Sequence, residues 1–171
     1  MKIYKPQPSQ APYYYQNYLD AAPGVHVLES LSLTKQASID VFENIPASLE
    51  DFRYAPEKWT IKQLWQDIID CEQVFSYRLL RILRGDQTAL VGFDENAFAA
   101  NDASDLLSLD QLKADFLLVR QHTFMLLKQL RVEQLDLELE ASDCPFSPRI
   151  LLWIISGHNQ HHLNILKERY L

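Results

Sequence analysis

Apolar residues recur at intervals of three and four along four separate stretches of the chain, and each stretch carries helix punctuation at its ends. Over residues 28–42 the apolar positions keep helical spacing, and Asn44 to Pro46 ends the run. A second run opens at Thr60, where Thr60-Ile61-Lys62-Gln63 spells a capping box. It continues through Ile61, Leu64, Ile68, Phe75, Leu79 and Ile82 and stops before Gly85, a residue suited to a helix C-terminus. The third run starts with the same device, Ser108-Leu109-Asp110-Gln111, and reaches Leu130. The fourth begins at Ser147-Pro148, an N-cap followed by proline at the first helical position, and ends near Tyr170.

The remaining segments predict no further long elements. Residues 1–24 read as an irregular lead broken by Pro6, Pro8, Pro12 and Pro23, with the domain proper over residues 25–171. Residues 86–107 read as a long loop, a length more often found in functional covers than in plain connections. Residues 131–146 form a second connection with one turn near Val132. The expected architecture is all-α, a four-helix bundle with long loop connections and no strands.

Composition narrows the function classes. At 171 residues the chain suits one domain with a full core. A formal net charge of -7 argues against nucleic acid or an anionic membrane as partner. Four glycines leave little room for phosphate-binding loops. No apolar run is long enough to span a bilayer, and the first twenty residues carry no signal-like apolar stretch. The two cysteines, Cys71 and Cys144, make no disulfide framework, so a reducing, cytoplasmic setting is the expectation.

Candidate chemistry concentrates in Gly157-His158-Asn159-Gln160-His161-His162. His158 and His162 lie one helical turn apart on the line that carries Leu151, Ile154, Ile155, Ile165 and Leu166, so both rings leave one apolar face. Two imidazoles there need partners; a divalent metal would satisfy them, and so would neighbouring hydrogen-bonding groups. His161 points about 100° away from His162 and cannot share an ion with it. A third ligand must come from another element. Asp67, on the border of the second helix's apolar stripe, is the better candidate, ahead of His26 and His122. Cys71, one turn beyond, reads as a small apolar filler. Trp65 and Trp153 read as core or interface aromatics. The apolar circumference of Leu151-Leu152-Trp153-Ile154-Ile155 suggests a helix buried on more than one side, as at a subunit interface.

Several separated motifs, in order, resemble the DinB/YfiT-like superfamily of metalloenzymes. They are Lys58-Trp59-Thr60-Ile61-Lys62-Gln63-Leu64 with Ile68-Ile69-Asp70 and Glu72, Tyr77 through Asp86, Gly92-Phe93-Asp94, and Ser147-Pro148-Arg149 through His158, His161-His162 and Tyr170. The resemblance covers residues 28–171. It implies a four-helix bundle, often a homodimer, with an ion held by three histidines, one on the second helix and two on the last. The last two fall on His158 and His162; the first falls on Asp67. Two histidines and one carboxylate remain a competent ligand set for Zn²⁺ or Ni²⁺, and also for Mn²⁺ or Fe²⁺. Aspartate is shorter than histidine, so the helices would have to approach or a water would bridge.

The resemblance further implies a small-molecule substrate and either transfer involving a low-molecular-weight thiol cosubstrate or hydrolysis. Arg78 and Arg169 are candidate substrate clamps for an anionic group, unless Glu72 or another acid pairs with them. The competing expectation is a non-catalytic, dimeric helical bundle that has lost its metal and binds a ligand or partner.

Overall fold

The structure, a computed structural model, describes residues 1–171. Four long helices form the body: α2 (Val27–Asn44), α3 (Ile61–Leu83), α5 (Leu109–Gln129) and α6 (Pro148–Arg169), with a short α1 (Gln16–Ala21) ahead of them and a short α4 (Glu95–Ala100) between α3 and α5. The capping boxes form as spelled. Thr60 Oγ1 accepts from Gln63 N while Gln63 Oε1 accepts from Thr60 N, and Ser108 and Gln111 do the same. Ser147 caps α6, and Gly85 takes a left-handed φ of 74° just past α3.

α3 packs against α5 and α6, and α2 packs against the same two. Consecutive helices α2 and α3 therefore stand diagonally across the bundle, and so do α5 and α6. This arrangement makes α3 and α6 neighbours, which places Asp67 opposite the histidines.

Along each long helix, apolar contacts divide into two clusters with a polar layer at mid-height. One cluster surrounds Leu31, Leu79, Leu126 and Trp153; the other surrounds Trp65 stacked on Phe42 at 3.7 Å, with Phe116 beside them. Between them Arg120 grips Glu72 with two parallel bonds of 2.8 and 2.9 Å and also donates to Leu31 O, Thr34 and Asn159. Thr123 donates to Glu72 at 2.7 Å, and Ser38 pairs with Asn159. Residues from all four long helices thus meet in a single satisfied network, the condition under which a buried charge is tolerated.

Three expectations change. The lead over residues 1–24 is not irregular throughout: α1 lies against α6, and Ile3, Ala11, Leu19 and Ala22 are buried in the first cluster. Its prolines flank the six-residue helix rather than interrupt it. The 86–107 segment contains α4, capped by the Asp94 carboxylate, which accepts from Asn96 N and Ala97 N. Residues 131–146 contain the expected turn, Val132–Gln134, and also a hairpin of β1 (Leu139–Ala141) and β2 (Cys144–Phe146). Its turn residues, Ser142 and Asp143, both take left-handed φ values, 52° and 57°, as a tight two-residue turn requires.

The broad apolar circumference of α6 is covered within the chain itself, by α1, α2 and α3. Trp153 is fully buried and donates its Nε1 to Tyr4 O at 3.2 Å. No second copy is needed to explain those residues. No helix is long and apolar enough to cross a membrane.

Candidate metal centre

The α3–α6 seam brings Asp67, His158 and His162 together, each less than a tenth exposed. Asp67 Oδ2 stands 3.3 Å from His158 Nε2 and 3.1 Å from His162 Nε2, and the two Nε2 atoms are 3.1 Å apart. Asp67 reaches the rings directly, so the shorter side chain needs no bridging water. Around an ion with bonds of about 2.1 Å, adjacent ligand atoms lie about 3.0 Å apart at octahedral angles and about 3.4 Å apart at tetrahedral ones. All three observed edges fall between those limits. Asp67 Oδ2 is buried yet accepts no hydrogen bond from either ring, although both are within reach. The donor set therefore fits a divalent cation: two imidazole nitrogens, in hydrogen-bond reach of each other, and a carboxylate oxygen left without a hydrogen bond face one common point.

Protonation suits the same role. Burial pushes the Asp67 carboxyl up, but the two imidazoles beside it act more strongly and hold it well below the usual carboxylate range. Burial, reinforced by His158, pushes His162 below the ordinary imidazole value. Near neutrality the pair presents a carboxylate and a neutral ring, the forms that bind metals. His162 Nδ1 is buried without a partner, so the chain supplies no acceptor behind that ring.

Cys71 is part of the first apolar cluster, as read from the sequence, and its sulfur also borders the centre. Its sulfur lies with Asp67 and His158 in a group whose potential donor atoms are all within 4.8 Å of one another. Burial and the Asp67 charge raise the thiol well above its ordinary pKa, so it stays protonated and donates to Asp67 Oδ1 at 3.6 Å. That contact leaves Oδ2 facing the histidines. The spacing of Asp67 and Cys71, one turn apart on one helix face, was the signal for it.

α1 closes the centre from above. Gly157 sits under the Tyr18 carbonyl, where a Cβ would lie 1.8 Å from that oxygen. Only glycine lets α1 approach this closely. The approach sets the Tyr18 ring edge-on to His158 at 5.2 Å and to His161 at 5.4 Å. His161 itself is half-buried beside His162 and does not join the triangle. Trp59 lies over His162 at 6.4 Å, nearly parallel to it.

Above the triangle is a cavity of about 370 Å³. Its walls are aromatic, from Tyr14, Tyr15, Tyr18, Trp59, Phe75 and Phe93, and its polar groups besides the triangle and Cys71 are Glu95 and Ser142. Glu95 accepts from the Tyr14 hydroxyl at 3.1 Å. Ser142 is held at the wall by the hairpin turn, with its N–H donating to Leu90 O. The tyrosine run and Trp59 were visible in the sequence but carried no spacing that tied them to the histidines.

The two arginines part company. Arg78 is buried behind Ser142, to which its Nη2 donates at 2.8 Å, and Glu72 is taken by Arg120 instead. Arg169 is exposed on the outer face of α6, over the Tyr54 ring, away from the cavity. His26 caps α2 through Nδ1, and His122 is exposed on α5.

A family model described as the DinB superfamily matches residues 30–166. No curated protein matches the chain. Among solved structures it is similar to YfiT from Bacillus subtilis, described as a probable metal-dependent hydrolase with an unusual four-helix bundle topology. The TM-score is 0.74 at 18% identity, over 96% of this chain and 90% of that one. At that identity the likeness speaks for the fold.

Proposed function

Because the chain belongs to the DinB superfamily, by its match over residues 30–166, we propose that it is a metal-dependent enzyme acting on a small molecule. Asp67, His158 and His162 hold one divalent cation, and the aromatic cavity above them holds the substrate. One observation carries this reading: a buried carboxylate oxygen stands 3.3 and 3.1 Å from two imidazole nitrogens and accepts a hydrogen bond from neither. Zn²⁺ and Ni²⁺ suit two nitrogens and one oxygen best, with Mn²⁺ and Fe²⁺ next.

A cation bound there supplies Lewis acidity at the base of the cavity. The chain's own residues do the rest. Asp67 lowers the net charge of the centre, and Cys71 fixes which of its oxygens faces the rings. Tyr18 and Trp59 keep bulk water off the histidines. Glu95, the second carboxylate on the cavity wall, accepts a proton from the attacking nucleophile. The description of YfiT as a probable metal-dependent hydrolase favours hydrolysis over thiol transfer.

The test is metal retention together with ester and amide hydrolysis. Protein purified without chelator should carry about one equivalent of a divalent metal, and Asp67→Ala and His162→Ala should each lose most of it while staying folded. Hydrolysis should vanish on chelation and return with metal. Full occupancy in both variants would refute the ligand assignment. A protein that takes up no metal at all would leave the bundle as a non-catalytic binding module.

A further inference from the structure

Outside the metal centre that holds Asp67, every buried charge in this chain but one is neutralised from within. Lys62 faces Glu50 and Asp51, and Glu72 is gripped by Arg120. Arg78 is the exception. It is 2% exposed, forms no salt bridge, and makes one hydrogen bond, to Ser142 Oγ at 2.8 Å. Its Nη1 is buried with no partner at all. A guanidinium has five N–H groups, and leaving most of them dry is costly. The rings of Phe146 at 5.0 Å and Phe75 at 5.8 Å offer only face attraction, weaker than the hydration given up.

The place of this cation is informative. Asp67, Cys71, Phe75 and Arg78 follow one another at helical spacing along one face of α3, and the first three line the cavity. Ser142, the one bonded partner of Arg78, lines it too. Arg78 also acts on Tyr15, another wall residue: burial raises the Tyr15 hydroxyl pKa, and the Arg78 charge, with its approach to that hydroxyl, opposes the rise. About 16 Å of helix rise separates the Asp67 and Arg78 backbones, a gap that the long arginine side chain shortens.

We infer that Arg78 and Ser142 form the anion end of the substrate site and bind the carboxylate of a monoanionic substrate whose apolar body lies between the aromatic walls. The inference rests on reading the cavity as the substrate site. A guanidinium fork matches a planar carboxylate, and Ser142 adds a hydroxyl donor. A single cation with no second one beside it suits one negative charge rather than the two of a phosphate.

The test uses chelator-treated protein, so that no ion competes for the probe. Binding of 3-phenylpropanoate, 3-phenylpropanamide and inorganic phosphate is measured by calorimetry. The carboxylate should bind wild type at least tenfold more tightly than its amide or than phosphate. Arg78→Met should cost the carboxylate at least tenfold and leave the amide unchanged, with Arg78→Lys in between. Metal uptake by Arg78→Met should equal that of wild type, which separates this inference from the metal assignment. Equal binding of acid and amide, no binding of either, tighter binding of phosphate, or undiminished carboxylate binding in Arg78→Met would each overturn it. Should Arg78→Met not fold, the comparison of acid with amide on wild type decides alone.

Discussion

Replacing Gly157 with alanine probes the contact on which the roof of the site depends. The added Cβ would lie 1.8 Å from Tyr18 O and 2.4 Å from Tyr18 C, both backbone atoms that cannot rotate away. To reach ordinary contact at 3.4 Å, α1 must withdraw from α6 by about 1.6 Å. Leu19 and Ala22, packed in the first apolar cluster, move with it. Overpacking of this kind costs about 1–3 kcal/mol, and partial exposure of a leucine adds about 1 kcal/mol more. Alanine returns about 1 kcal/mol in helix propensity. The net loss is about 2 kcal/mol, or a fall in Tm of roughly 4–8 °C at this chain length. Thermal and urea unfolding followed by circular dichroism measure it, with and without metal. A Tm equal to or above that of wild type would show that α1 does not sit on Gly157 as described.

Other expectations follow from the polar groups. Arg120→Met leaves the Glu72 carboxylate buried and unpaired, so urea unfolding should show a loss of about 3–5 kcal/mol; a loss under 1 kcal/mol would mean that the layer is hydrated. Glu95→Gln, at the exposed end of the cavity, should leave Tm and metal content unchanged while lowering hydrolysis at least tenfold, and unaltered turnover would remove Glu95 from the chemistry. His162 is depressed in the folded state, so on acidification below about pH 6.5 the unfolded chain takes up a proton that the folded one refuses, and stability falls. Asp67, also depressed, adds a second loss as pH falls below the ordinary carboxylate value, about 4. Metal-free protein should therefore be flat in stability just above pH 7 and decline below about 6.5; a rise on acidification would contradict the neutral form of His162.

The four long helices were legible because each combines apolar periodicity with a side-chain cap, and both capping boxes form atom for atom. The facing of Asp67 and the histidine pair was legible from wheel position and from resemblance. What escaped was short or non-local. α1, with six residues, is too brief for a periodic signal, and its burial depends on Gly157 far along the chain. The hairpin strands have three residues each, and the sign of their turn, Ser142-Asp143, resembles any polar loop. The Asp94 cap of α4 was readable in kind, but only one turn and a half of helix follows it. The places of Cys71 and Trp59 beside the histidines escaped because nothing in their own segments shows what faces them. The apolar breadth of α6 suggested burial on more than one side, and within the chain α1 supplies part of that cover.

The most direct test is to locate the metal itself. Crystals of protein purified without chelator, measured at the absorption edges of zinc, nickel, iron and manganese, should show one strong anomalous peak. It should lie about 2.0–2.3 Å from Asp67 Oδ2, His158 Nε2 and His162 Nε2. Absence of any such peak, with the three side chains in the same places and bonded only to protein, would contradict the account.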